Sequence, residues 1–152
     1  MTDSDAIVQR LLEEKNRNHH LWVNQQLTMP RRSGAGGFSL LNPFGGYAGK
    51  DPEGAETVRE DALALFESGG DSSVELLRAV VSDDMICLVM IERAMVRFKG
   101  RNELQPWVLR VTQVYQRDGD EWRSVHRHAD PLIERQSLDS VLAMMGSQPV
   151  ET

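Results

Sequence analysis

From Leu109 to Asp130 the chain reads LRVTQVYQRDGDEWRSVHRHAD. Two β-patterned runs flank Arg117-Asp118-Gly119-Asp120, and Asp-Gly in a short polar link is a strong hairpin signal. Side chains along a strand alternate between sheet faces. In the first run Val111, Gln113 and Tyr115 therefore oppose Arg110, Thr112 and Val114. In the second, Trp122, Ser124, His126 and His128 oppose Arg123, Val125 and Arg127. Each face carries apolar bulk beside ionisable groups, so neither is plainly the solvent face. Strands loaded in this way line a pocket or an interface.

Working outward, the elements before the hairpin place helices first and strands afterwards. Ser4 to Leu27 has helical spacing of Ile7, Leu11, Leu12, Trp22 and Val23, with Ser4 as its cap. Thr28 to Gly37, with Pro30, two arginines and three glycines, reads as an irregular loop. A short strand over Phe38–Leu41 ends at Asn42-Pro43 and Gly45-Gly46. Glu53–Glu67 predicts a second helix, with Val58, Ala62, Leu65 and Phe66 as its stripe and Gly69-Gly70 beyond its end. Val74–Val81, Met85–Phe98, Leu104–Arg117 and Trp122–Asp130 read as successive strands, and Pro131 stops the last. A closing helix follows over about 134–146, centred on Leu138, Val141, Leu142 and Met145. This order implies one α+β domain over 1–152, core about 5–131, with helices on one face of a curved antiparallel sheet.

Composition narrows the function classes. The 152 residues carry a formal net charge of −6, and no Lys/Arg block is clustered. A duplex nucleic acid or an anionic membrane needs a concentrated basic face, so neither is expected as partner. Cys87 is the single cysteine and sits in an apolar run, where it packs as a small hydrophobe. No signal peptide and no apolar stretch of about 18 residues is present, which leads us to expect a cytoplasmic protein.

Asn42-Pro43-Phe44-Gly45-Gly46, Val80-Val81-Ser82-Asp83-Asp84 and above all the Leu109–His128 hairpin resemble the nuclear transport factor 2-like superfamily. The closer likeness is to its SnoaL-like and ketosteroid-isomerase-like branch. The resemblance spans about residues 5–131. It implies a cone in which a strongly bent sheet wraps the long first helix and leaves a hydrophobic cavity at its wide end, and it implies a homodimer formed through the convex face. Members include isomerases, polyketide cyclases, dehydratases, transport adaptors and a kinase oligomerisation domain, so the fold does not select the activity.

The resemblance also tests one chemistry. Ketosteroid isomerases place a general-base aspartate before the proline that Pro43 matches, and here that place holds Asn42. An amide cannot abstract the proton. The oxyanion-hole tyrosine would follow Val8-Gln9-Arg10, and Leu11 stands there. The usual Asp/Tyr mechanism is thus not expected.

The remaining pocket candidates are Arg110, Glu92, His126, Arg127 and His128, with Asn42, Tyr47, Trp107 and Thr112 as walls. Analogy with the kinase oligomerisation domain points Arg110 into the pocket with Glu92 beside it. A Glu92–Arg110 pair would brace two strands, or leave Arg110 as the fork for a carboxylate; arginine can do both. His126 and His128 share parity, which suits a general base or hydrogen bonding within the sheet or interface. No third and fourth metal ligand stand at a recognisable spacing, and no metal or cofactor is expected. His19 and His20 read as polar spots near a bend of the first helix, and the tryptophans as core. The expected ligand is a small apolar or carboxylate-bearing molecule. The alternative is a non-catalytic oligomerisation or ligand-sensing domain.

Overall fold

The computed structural model describes residues 2–24, 38–45, 47–48 and 52–146. Helix α1 spans Asp3–Val23. It starts earlier than Ser4 because Thr2 and Asp5 form a reciprocal cap. The Asp5 N–H donates to the Thr2 hydroxyl at 3.1 Å, and the Thr2 N–H donates to the Asp5 carboxylate at 2.9 Å. Asn24 closes the helix, its backbone N–H and its side-chain amide both donating to the His20 carbonyl. Residues 25–37, including the loop read between Thr28 and Gly37, lie outside the described residues.

Strands β1 (Ser39–Leu41) and β2 (Tyr47–Ala48) precede α2 (Pro52–Leu63). Four long strands follow: β3 (Phe66–Val81), β4 (Met85–Phe98), β5 (Gln105–Asp118) and β6 (Glu121–Pro131), then α3 (Leu138–Gly146). They form a six-stranded sheet in the order β2-β1-β6-β5-β4-β3. The α+β class stands, with one correction to an all-antiparallel sheet. β1 pairs with β6 in parallel, Leu40 opposite Arg127, while every other pair is antiparallel. The long excursion through α2 and β3–β5 lets the chain return beside β1 in the same direction.

A second correction concerns Leu65 to Gly70. The helix stops at Leu63 and Phe66 opens β3, fully buried among Trp22, Phe98 and Trp107 with ring centroids 4.5 to 5.6 Å away. Its aromatic contacts outweigh the helical spacing that seemed to continue through it. Gly69 and Gly70 lie inside the strand, where β3 passes the end of α1. A Cβ on Gly69 would stand 2.8 Å from the Val23 carbonyl oxygen, so only glycine permits this approach. Register shifts after Phe66, Gly69 and Leu76 bend the strand.

The concave face of the sheet carries the core. Ile86, Leu88, Met90 and Val96 of β4 and Leu109, Val111 and Tyr115 of β5 are buried, and Leu11 of α1 packs onto them. Val23, Phe66 and Ala94 continue it toward Trp22, Phe98 and Trp107. The closing helix forms but buries none of its residues. No described helix is long and apolar enough to cross a membrane.

Candidate functional site

A one-residue bulge in β6 decides which side chains reach the concave face. Tyr115 pairs with Ser124, but Val114 pairs with His126, so Val125 is extra in the ladder. Strict alternation would put Ser124, His126 and His128 on one side. The bulge resets the parity after Ser124. Trp122 and Ser124 stay on the face of Tyr115, while Arg127 and Ala129 now share the face of Gln113 and Val111. His126 and His128 are turned to the convex side with Val114, Thr112 and Arg110.

Arg127 therefore meets Glu92. The two pair in a bidentate fork, Nη1 to Oε1 and Nη2 to Oε2, both at 2.7 Å. From α1, Lys15 Nζ lies 2.8 Å from Oε1 and His19 Nδ1 lies 3.7 Å from Oε2. Leu11, Lys15, His19 and Val23 recur every fourth residue, so one helical stripe presents two apolar and two basic side chains to the sheet. The Glu92 side chain is 2% exposed, against 14% for Lys15 and 21% for Arg127. Burial pushes the Glu92 carboxyl up, but the charges of Arg127 and Lys15 and the fork itself outweigh it and hold the group well below the ordinary carboxylate range. Glu92 is thus an anion.

His19 is set the other way. Burial lowers its pKa, the Glu92 carboxylate works against that shift, and Lys15 and Arg127 add to it. Its Nε2 faces the Arg93 carbonyl oxygen at 3.2 Å. A carbonyl only accepts, so Nε2 carries the hydrogen and the neutral ring keeps its lone pair on Nδ1, toward Glu92. Flanking this cluster, Trp107 lies one diagonal step from Glu92 in the β4–β5 ladder, opposite Ala94. It stacks on Phe44 at 5.5 Å and meets Phe66 and Phe98 edge-on. Its Nε1 is buried with no hydrogen-bond partner among the described residues. On the other side of Arg127, the Gln113 amide donates to the Ser124 hydroxyl at 2.9 Å.

The convex face holds the other sequence candidates. Arg110 lies opposite Ile91 and points away from Glu92, correcting the expected Glu92–Arg110 pair. Odd positions of β5 and even positions of β4 face inward, and Arg110 is even. It reaches Asp130 at 3.4 Å, and His128 Nε2 meets the same carboxylate at 3.0 Å. The three side chains are 60%, 42% and 43% exposed. His126 Nδ1 bonds the Ser39 hydroxyl of β1 at 2.6 Å, and Thr112 pairs with His128 across the ladder. Asn42 shapes the turn after β1, its Oδ1 accepting from the Phe44 N–H at 2.9 Å. The side chain of Tyr47 lies outside the described residues.

No protein-family model matches the chain, and no curated protein matches it significantly. Solved structures do. A nuclear transport factor 2-like superfamily protein from Salmonella enterica is 14% identical, with 90% of this chain and 98% of that one covered at a TM-score of 0.66. This chain adopts the nuclear transport factor 2-like fold. A hexachlorocyclohexane dehydrochlorinase (LinA type 2) is 14% identical over 90% of this chain and 97% of its own, TM-score 0.60. A structure from Exiguobacterium sibiricum, assigned as a calcium/calmodulin-dependent kinase II association domain, is 14% identical over 89% and 98%, TM-score 0.62.

Within this nuclear transport factor 2-like fold, the structure brings together Glu92, Arg127 and Trp107 from the sequence candidates. It separates them from Arg110, His126, His128 and Thr112. Lys15 and His19 went unrecognised as site residues. The signal was present, since both fall on the stripe of Leu11 and Val23, where a basic residue is out of place unless something buried answers it.

Proposed function

We propose that the protein binds a small, largely apolar molecule bearing a carboxylate on the concave face of its sheet, with Lys15 and Arg127 as its charged contacts. The observation that carries this reading is the convergence of two partly exposed cations at the buried Glu92. Two permanent cations converge on one carboxylate, and the cations keep partial exposure while the carboxylate has almost none. An anion that reaches the exposed edges of Lys15 and Arg127 would stand beside buried surroundings, where it interacts with them more strongly than in water. Beside it, the aromatic wall of Phe44, Phe98 and Trp107 suits an apolar body, and the Trp107 Nε1, which has no partner among the described residues, suits an acceptor on it. Catalysis of the SnoaL-like isomerase, cyclase or hydro-lyase kind is the enzymatic form of this reading. The Asp/Tyr ketosteroid mechanism is not, because Asn42 and Leu11 hold the key places. Thermal shift and calorimetry with benzoate and longer aryl carboxylates test it. Binding should appear in the wild type and weaken at least tenfold in Lys15→Met, the loss of about 1.4 kcal/mol that one charged contact supplies. Equal behaviour of the two proteins leaves the cluster a structural ion network.

The second reading is a homodimer that serves as an oligomerisation or ligand-sensing domain. It is favoured by Leu77, Val80 and Met85 near one end of the β3–β4 hairpin, which are 55%, 50% and 46% exposed.

A further inference from the structure

We infer that α3 is an arm exchanged between two copies of this chain, each copy's α3 seated on the apolar end of the partner's β3–β4 hairpin. The inference rests on the homodimer reading above and adds to it which segment docks and where. α3 is nine residues long and buries none of them. An isolated helix shorter than roughly 12–15 residues is marginal in water, so α3 depends on packing an apolar face. It has one. Leu138, Val141, Leu142 and Met145 recur at helical spacing, and Leu138, Leu142 and Met145 are 72%, 52% and 64% exposed.

The seat lies at the other end of the convex face. Val80 pairs with Cys87 and Arg78 with Val89, both pairs on that face with Met85, and Leu77 is the extra residue of the bulge beside them. Leu77, Val80 and Met85 are about half-exposed there. α3 leaves from the opposite end, because the Leu132 N–H donates to the Val108 carbonyl where β6 runs out along β5, whereas Met85 pairs with Gln116. From Val108 to Gln116 is ~26 Å of strand. A two-fold axis that sets two convex faces together with their strands antiparallel lays the α3 end of one copy on the hairpin end of the other. It does so twice, as a closed isologous dimer requires. Charge supports the same pairing. Arg78 stands between Leu77 and Val80, and Asp139 follows Leu138 in the first turn of α3. Both are exposed, and neither has an ion-pair partner among the described residues. Seating the arm brings the two together. Between the ends lie Arg110 and Asp130, one of each sign and both exposed, so two copies in this orientation meet without a like-charge band.

The test is sedimentation equilibrium of the full chain across a concentration series, with variants confined to exposed positions. The wild type should be a dimer. Leu142→Asp, which carries a charge into the apolar seat, should weaken dimerisation by roughly tenfold or more. Asp139→Arg and Arg78→Asp should each weaken it to a similar extent, roughly tenfold, and the double reversal should recover most of the loss, because the pair is then restored with its signs exchanged. A dimer untouched by Leu142→Asp, or reversals that show no mutual rescue, overturns the exchange and leaves the homodimer reading standing. A wild-type monomer at high micromolar concentration overturns both. In that case a lower urea midpoint for Leu142→Asp assigns α3 to a seat on its own chain, and an unchanged midpoint assigns it to a different protein.

Discussion

Glu92 shows what a buried charge demands of its neighbours. Its carboxylate is matched by the Arg127 fork and Lys15, so neutralising it takes the charge partner from the buried fork. Glu92→Gln should cost about 3–5 kcal/mol in urea unfolding, the usual result of breaking one side of a buried ion pair. A loss under about 1 kcal/mol would mean the pair is solvated like a surface bridge. The pH dependence has a definite sign. His19 is depressed from its ordinary 6.5, so as pH falls below that value the unfolded chain binds the proton first and stability drops. Glu92 is depressed below its ordinary 4.5, so its contribution is complete above that pH and disappears as acid titrates the folded carboxyl. Both groups make the free protein less stable in acid. Urea midpoints should fall from pH 7 to pH 5, with a flatter profile in His19→Gln; midpoints that rise toward acid would contradict the burial of a neutral His19.

The same logic reaches the elements. The hairpin from Leu109 to Asp130 was legible as a hairpin, with Asp118 opposite Glu121 and Gly119 at φ +63° between them. Its face assignment was not. Alternation assumes an unbroken ladder, and the extra Val125 shifts parity midway, which no periodicity count detects. Deleting Val125 would leave Ser124 opposite Tyr115 and Arg127 opposite Gln113. That variant should still unfold cooperatively with Arg127 facing Glu92, whereas an insertion of one residue after Val125 should turn Arg127 outward and destabilise the fold by several kcal/mol. Equal tolerance of both changes, measured by urea unfolding, would count against the bulge as the element that sorts the two faces. Gly69 is the other element-scale contact. Gly69→Ala places a Cβ within 3 Å of the Val23 backbone and side chain, so β3 must pull away from α1 at a cost of about 1–3 kcal/mol. Near-wild-type stability would show that the end of the helix gives way freely.

For the whole molecule, the α-then-β order together with the likeness carried by residues 42–46, 80–84 and the Leu109–His128 hairpin implied a nuclear transport factor 2-like cone, and the solved structures share that fold. How copies associate is a proposal at this scale. The exposed Leu77, Val80 and Met85 are apolar surface that a partner subunit would cover. Sedimentation should give about twice the 17.1 kDa chain mass, and Val80→Glu should shift it toward the monomer. A stable wild-type monomer at high micromolar concentration removes the oligomer reading and leaves ligand binding as it stands.

The amino-acid sequence by itself determined the element order apart from the two-residue β2, because apolar period, turn residues and the Asp-Gly hairpin are local properties that survive without neighbours. It also marked Glu92, Arg127 and Trp107 as candidates. Tertiary structure alone decided that Phe66 belongs to a strand, that β1 runs parallel to β6, and that Arg127 rather than Arg110 answers Glu92. It also joined Lys15 and His19 to a carboxylate more than seventy residues away. These outcomes depend on which surfaces meet and on a single bulge in the ladder. Pairing of that kind is set by the energy of burying charges and rings together, which no local window of sequence contains.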